Sequence, residues 1–260
     1  MNKRLLFLLL GSALAWPPSQ GWSQAILNVE ALQADETEAV HAEVSGRIRW
    51  ASGNTDLFQF GGDLGLGVLG ERHWIRVYAG LEHLEKNEKN ILDNRYVHIR
   101  YNYRFSDRFR TFHFFQLQAN ENLFLNRRLL LGTGLRYRLL GGAETRLEVG
   151  SGLMFEAERL DEGKLDPGEE ADTEVFRMAN LIVGSGPIGE GNRWVTVVYY
   201  QPNLKGFEDY RLSGELGLVV RVVSSLDLSV TLTWRHDSRA PSGLDEDDVG
   251  LRTGFTYHIR

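Results

Sequence analysis

The chain has 260 residues, enough for one large domain, and its lack of cysteine excludes a fold held together by disulfide bonds. Residues 1–25 have two basic residues near their start, Lys3 and Arg4, followed by a short apolar run and a small-x-small site. This pattern predicts a cleaved secretory signal peptide. The mature chain then has 27 basic and 35 acidic residues, a net charge of −8. This argues against nucleic acid as a partner, because phosphate binding needs basic patches.

After residues 26–42, which we expect to form an N-terminal periplasmic segment, apolar and polar residues alternate along most of the chain. A period of two is typical of strands with two different faces. Residues 226–234 show it clearly, with Leu228, Val230 and Leu232 on one face and Asp227 and Thr231 on the other. Twelve such runs are predicted, near 43–52, 55–69, 72–84, 94–105, 109–120, 125–139, 143–157, 174–184, 193–201, 209–223, 226–235 and 248–259.

Most of these runs exceed the roughly 5–6 residues of a usual globular strand. They match the roughly 9–11 residues that a tilted strand needs to cross a bilayer. We therefore predict an all-β fold, a transmembrane antiparallel β-barrel of about twelve strands over residues 43–260, located in the outer membrane of a Gram-negative envelope. The alternative fold is a soluble periplasmic lipocalin-like binder.

The links between the runs differ in length. Gly70-Glu71, residues 106–108, Gly141-Gly142 and Ser224-Ser225 are tight, whereas residues 85–93, 120–124, 158–173, 202–208 and 236–247 are longer and polar. Outer-membrane barrels have short periplasmic turns and longer external loops, so the tight links are expected in the periplasm. Residues 52–54 and 185–192 depart from this rule.

Two further patterns support membrane assembly. Aromatic residues near strand ends predict an interfacial girdle, formed by Trp50, Trp74, Trp194, Trp234 and Tyr257. Residues 252–260 resemble the C-terminal signal that barrel-assembly machinery recognises, although Arg260 follows Ile259 where an aromatic residue usually ends the chain. The expected partners are therefore this machinery, outer-membrane lipid and lipopolysaccharide.

Three segments carry a resemblance to a known family: residues 52–56, Asn122 to Leu140, and Arg146 to Gly152. Through them, roughly residues 40–260 resemble the putative salt-induced outer-membrane protein family. The resemblance implies a barrel in the outer membrane and implies no substrate.

The chain has 24 Arg but only 5 Lys, and most Arg residues lie within predicted strands. Arg is better suited than Lys to enclosed ion pairs with several hydrogen bonds. The predicted lumen-lining set comprises Arg47, Arg49, Arg76, Arg100, Arg104, Arg128, Arg136, Arg138, Glu144, Arg146, Glu148, Arg211, Glu215, Arg221 and Arg252. These charges either cross-link into a plug, which gives a structural protein, or line a narrow pore that selects anions.

A catalytic role is a weaker hypothesis. His236 and Ser238 lie two residues apart near a strand end and could serve as base and nucleophile of a rim hydrolase that acts on envelope lipid. A His-x-Ser tripeptide is common by chance, and no enzymatic role is expected.

No metal site or cofactor is predicted. The seven His residues are scattered singly, and the acidic residues in segments 161–172 and 245–248 lack EF-hand spacing.

Overall fold

The computed structural model describes residues 40–51, 57–86, 89–141 and 145–259. These residues form two single-turn 3₁₀ helices, at Glu121–Leu123 and Glu162–Lys164, and thirteen β-strands. The strands are β1 (Val40–Ala51), β2 (Leu57–Leu69), β3 (His73–Lys86), β4 (Lys89–Arg104), β5 (Phe109–Asn120), β6 (Leu125–Gly141), β7 (Arg146–Leu160), β8 (Asp172–Met178), β9 (Asn180–Pro187), β10 (Arg193–Asn203), β11 (Gly206–Val223), β12 (Leu226–Asp237) and β13 (Asp247–Ile259). Among the described residues, no helix is long and apolar enough to span a membrane.

The sheet is antiparallel throughout and closes on itself. Apart from β8 and β9, which do not pair with each other, each strand pairs with its chain neighbours, and β1 pairs with β13, with Ala42 opposite Ile259. Strands β8 and β9 both lie between β7 and β10, interrupted at Ala179, whose amide donates to the Gly152 carbonyl at 2.9 Å. Thirteen strands thus occupy twelve positions around a barrel, which confirms the predicted fold class. The single strand predicted at 174–184 is in fact these two pieces.

Two of the predicted long loops are wrong. Strand β3 continues to Lys86, which pairs with Lys89 of β4, and β10 continues to Asn203, which pairs with Gly206 of β11. The polar residues of these segments extend the hairpins instead of ending them, because polarity reports exposure and not the end of strand pairing. Of the links that the structure describes on that side, 161–171 and 238–246 remain long.

We call the barrel end with these two links the loop end. The opposite end, where β1 begins and β13 ends, is the turn end. The placement of the turn end in the periplasm stays a prediction. Strand β1 begins at Val40, three residues before the predicted barrel boundary.

The two faces of the strands differ as the alternation predicts. On β11, Leu216, Leu218 and Val220 are exposed, whereas Ser213 and Glu215 are buried. Large apolar residues are exposed on the outer wall around the described barrel, for example Ile48, Leu64, Ile75, Val97, Leu131, Leu153, Ile182, Leu232 and Leu251. Soluble monomers rarely expose a continuous apolar surface of this extent, so this belt contradicts the lipocalin-like alternative.

Outward aromatic residues border the apolar belt at both ends. At the turn end, Phe109 lies 6.0 Å from Phe105 and 4.8 Å from Tyr137 between ring centroids. At the loop end, Phe155 contacts Phe176 at 5.3 Å and Tyr200 contacts Tyr210 at 5.8 Å. Such girdles are typical of membrane barrels.

The predicted girdle residues fall into three groups. Trp194, Trp234 and Tyr257 alternate with inward residues on their strands and therefore face outward. Trp74 does not belong to the girdle: it shares the inward face of β3 with Arg76, whose guanidinium lies 3.9 Å from the Trp74 ring centroid. The side chain of Trp50 lies outside the described part of the chain.

Candidate functional site: the charged interior of the barrel

The inward face near the loop end carries a buried ion-pair network, the loop-end network. It consists of Arg128, Arg177 and Arg211 with Glu156, Glu158, Asp209 and Asp237. The guanidinium of Arg211 donates to Glu156 at 2.7 Å, to Glu158 at 2.8 Å and to Asp237 at 2.9 Å. Three carboxylates therefore share one planar fork of donors, an arrangement that Lys could not reproduce.

The strand register brings these residues together. Glu156 and Glu158 lie two apart on β7 and so share its inward face, and Arg128 of β6 is paired opposite Glu158 and ion-paired with it. Arg211 on β11 is paired opposite Asp237 on β12. Its contacts with the two glutamates pass over the intervening β8 and β10, so the network joins non-adjacent walls of the barrel.

A second group, the turn-end cluster, surrounds one fully buried carboxylate near the opposite end. Glu148 of β7 lies within 2.7 Å of Arg110, 3.7 Å of Arg136, 3.4 Å of Arg138 and 3.6 Å of Arg146. Arg110 and Arg136 are directly opposite on β5 and β6, a placement of like charges that is unfavourable by itself. The Glu148 carboxylate offsets that repulsion.

Between the two charged groups lies an apolar layer that faces into the barrel. Its members include Phe112, Phe114, Leu130, Met154, Ala179, Leu181, Val183, Val197 and Tyr199. Gly132 and Gly134 leave room for the phenyl rings, because a Cβ on Gly134 would lie 2.5 Å from Cζ of Phe112. The sequence pattern predicted a polar interior. The structure instead has a packed apolar centre between the two charged groups.

The layer is also bridged across the barrel. Strands β4 and β10 are five positions apart in the twelve-position ring and so lie on nearly opposite walls. Arg100 of β4 donates from Nη2 to the Tyr199 hydroxyl of β10 at 3.2 Å. Both side chains are 1% exposed. The Arg100 guanidinium also lies over the Phe114 ring, at 5.9 Å from its centroid. Side chains from opposite walls thus meet inside the barrel.

The structure places the predicted lumen-lining residues at different depths. Arg76, Arg100, Arg128, Arg136, Glu148, Arg211 and Glu215 are buried, and Arg138 and Arg146 are half-buried. Arg104 and Arg221 are exposed at the turn end, where Arg104 donates to the Glu71 carbonyl at 2.6 Å and Arg221 to Asp227 at 3.3 Å. Glu144 and the side chains of Arg47, Arg49 and Arg252 lie outside the described residues.

Several members of the site were missed from the sequence. The loop-end network includes Arg177, Asp209 and Asp237, and the turn-end cluster includes Arg110. The inward positions of Asp209 and Arg110 follow from the period of two on β11 and β5. The inward position of Arg177 follows from the same period, because Arg177, Ala179 and Leu181 are all buried and the register with β7 is unchanged across Ala179.

The geometry gives the hydrolase alternative no support. His236 and Asp247 form a contact of 3.1 Å, and the His236 ring lies 5.3 Å from that of Tyr210. The Ser238 hydroxyl donates to the Glu208 carbonyl at 3.0 Å and accepts from the Tyr210 amide at 2.8 Å. In the described part of the chain, Ser238 and His236 share no hydrogen bond, so this hydroxyl caps a strand edge.

The two long links of the loop end are tied together. Glu169 accepts hydrogen bonds from the backbone amides of Ser242 at 2.7 Å and Asp166 at 2.9 Å. These backbone donors, the Ser242 amide first, hold the pKa of the Glu169 carboxyl below its ordinary value. In the same region Lys164 lies over the Phe124 ring, 5.4 Å from its centroid.

Closed strand pairing, an exposed apolar belt and two aromatic girdles define a transmembrane antiparallel β-barrel of the outer-membrane type. Residues 47–259 match the family described as "Protein of unknown function, DUF481", and the chain belongs to that family. No curated protein matches the sequence.

Several solved structures are similar to this chain. The NanC porin aligns with a TM-score of 0.51 and 10% identity, covering 84% of this chain and 100% of the porin. The translocator domain of the autotransporter NalP from Neisseria meningitidis gives a TM-score of 0.49 and 12% identity over 84% of this chain and 86% of that domain. The KdgM porin gives 0.46 and 11% over 85% and 99%.

Proposed function

We propose that the protein is an integral outer-membrane barrel with a structural role, and that its own side chains close its interior to solutes. In this proposal residues 1–25 direct secretion, the turn end faces the periplasm, and the apolar belt contacts lipid and lipopolysaccharide. Barrel-assembly machinery would insert the chain by reading its last strand. The resemblance to the salt-induced family adds the hypothesis that expression responds to salt.

The observation that carries the proposal is the bridge from Arg100 to Tyr199, because a solute-conducting lumen needs open space where these side chains meet. The buried ion pairs on either side support it. Charges line a water-filled pore best when they remain hydrated, whereas Arg136, Glu148 and Glu156 are at most 1% exposed. Enclosed ion pairs of this kind cross-link the walls of a barrel.

The second candidate is a narrow pore with an Arg lining. It is favoured by small inward residues on β2, where Gly61, Gly65 and Gly67 are buried on the inward face. Glycine leaves space beside the backbone, so a thin polar path along β2 is compatible with these positions. The four arginines around Glu148 would then favour anions at the turn end.

Planar-bilayer conductance separates the two candidates. For the wild-type protein we expect no stable current steps. The double variant Arg100→Ala/Tyr199→Ala removes both ends of the bridge and is expected to produce steps. Arg159→Ala changes an arginine whose side chain is 54% exposed on the outer wall and serves as the matched control. Stable anion-selective steps from the wild type would reject the closed barrel in favour of the pore.

A further inference from the structure

A set of polar side chains crosses neighbouring strands on the outer, lipid-facing wall of the barrel. We call it the polar stripe, and it consists of Thr111 and His113 on β5, Thr133 on β6, Ser151 on β7 and Asn180 on β9. Hydrogen bonds join its members in two groups. His113 bonds Thr133 at 2.9 Å and Thr111 at 3.1 Å, and Ser151 donates to the side-chain oxygen of Asn180 at 2.8 Å.

The exposed members of the stripe lie within the apolar belt. Thr133 is eight residues from each end of β6, and Thr133 and Ser151 are both exposed. Their neighbours along the strands are strongly exposed apolar residues, Leu131 at 57% and Leu135 at 53% on β6 and Leu153 at 53% on β7. The girdle residues Phe155 and Tyr137 lie above and below. The hydroxyls of Thr133 and Ser151 therefore lie between the two girdles, within the apolar belt.

Exposed polar groups at this depth are unfavourable in a lipid environment, because acyl chains provide no hydrogen-bond partners. The internal hydrogen bonds of the stripe reduce this cost, but they leave Thr133 and Ser151 on the surface. The outward hydroxyl of Thr196, on another part of the wall, instead donates to a backbone carbonyl of the sheet, that of Glu215, at 2.8 Å. A stripe that spans four neighbouring strands indicates a surface covered by protein.

We propose that the polar stripe is the contact between two copies of this chain, related by a two-fold axis along the membrane normal. Such an axis places each residue opposite residues of equal depth on the partner copy. Self-contact then requires groups that can both donate and accept. Hydroxyls, neutral imidazole and carboxamide all do so, whereas a stripe of like charges would repel its copy. Small side chains at Thr133 and Ser151, between bulky leucines, also allow close approach.

This inference rests on the proposed membrane location, and the experiment separates the two. Because the chain has no cysteine, single variants Thr133→Cys and Ser151→Cys report contacts without background. Leu218→Cys is the matched control: like Ser151 it faces outward five residues from the turn-end terminus of its strand, but on the wall formed by β11. Each variant is reconstituted in lipid vesicles, checked for heat-modifiable migration and oxidised.

The expected result is a disulfide-linked dimer at Thr133→Cys or Ser151→Cys and none at Leu218→Cys, because a disulfide needs Cα atoms within about 7 Å. Native mass spectrometry of the wild type should show the dimer, and Thr133→Leu/Ser151→Leu should weaken it about tenfold. Monomer only, equal cross-linking at the control, or a conjugate with a different protein would overturn the dimer. Extraction of the wild type by alkaline carbonate without detergent would instead overturn the membrane location.

Discussion

Replacing Arg211 by Met tests whether the loop-end network holds the barrel together. Arg211 is buried and contacts three carboxylates, of Glu156, Glu158 and Asp237, at 2.7 to 2.9 Å. Its loss leaves buried carboxylates with fewer partners. Breaking a buried ion pair by removing one partner costs about 3–5 kcal/mol. In a chain of this size, that corresponds to a fall of about 6–20 °C in the temperature at which the heat-modified form appears.

The matched control is Arg159→Met. Arg159 lies on the same barrel end, but its side chain faces outward and contacts exposed Asp172 at 3.8 Å. Exposed ion pairs contribute about 0–1 kcal/mol, so this variant should unfold close to the wild type. Both variants are followed by denaturing-gel migration after graded heating and by urea unfolding in detergent micelles. If Arg211→Met lost no more stability than Arg159→Met, the network would not be a stabilising element.

Two further predictions concern the apolar layer and the loop end. Gly134→Ala should destabilise the barrel by about 1–3 kcal/mol, because the added Cβ would overlap the Phe112 ring. Gly46→Ala, with no atom within 4 Å of the added Cβ, should be tolerated in the same urea assay. Equal loss of stability in the two variants would contradict tight packing of the apolar layer. The depressed pKa of Glu169 means that its contribution to stability is fully present above the unfolded-state pKa and is lost as the pH falls through the folded-state pKa. Hydrogen exchange at the Ser242 amide, corrected for its intrinsic rate, should therefore stay slow at neutral pH, where the carboxylate is charged, and accelerate as the pH falls through the lowered pKa of Glu169. In Glu169→Gln that pH dependence should disappear, and its persistence would show that another group controls the link.

The fold could be predicted because one physical pattern governs every strand. Lipid outside and a packed interior inside impose a period of two, which places Leu218 outward and Glu215 inward on β11. Even Val219, which breaks the alternation of apolar and polar residues there, follows the period and is buried. Strand ends were less predictable, because pairing such as Lys86 with Lys89 continues above the membrane, where polarity no longer distinguishes a strand from a loop.

The interior was predicted only in part. Period two separates the faces of β5 but does not say what each face contacts, and this strand has aromatic residues on both. Phe112 and Phe114 face inward, whereas the ionisable His113 between them faces outward. The apolar layer and the polar stripe both arise from this inversion. Contacts between distant strands, such as Arg100 with Tyr199, depend on the curvature of the closed sheet, which no local pattern encodes.

The most direct measurement is the accessibility of spin labels at paired positions in lipid vesicles. Labels at Leu218 and Leu251, on single-cysteine variants, should collide readily with oxygen dissolved in the acyl chains and rarely with a water-soluble nickel chelate. A label at Glu215, which is buried on the inward face of β11, should be shielded from both reagents. Oxygen-inaccessible, immobilised labels at Leu218 and Leu251 would contradict a lipid-facing outer wall, and a chelate-accessible label at Glu215 would contradict a closed interior.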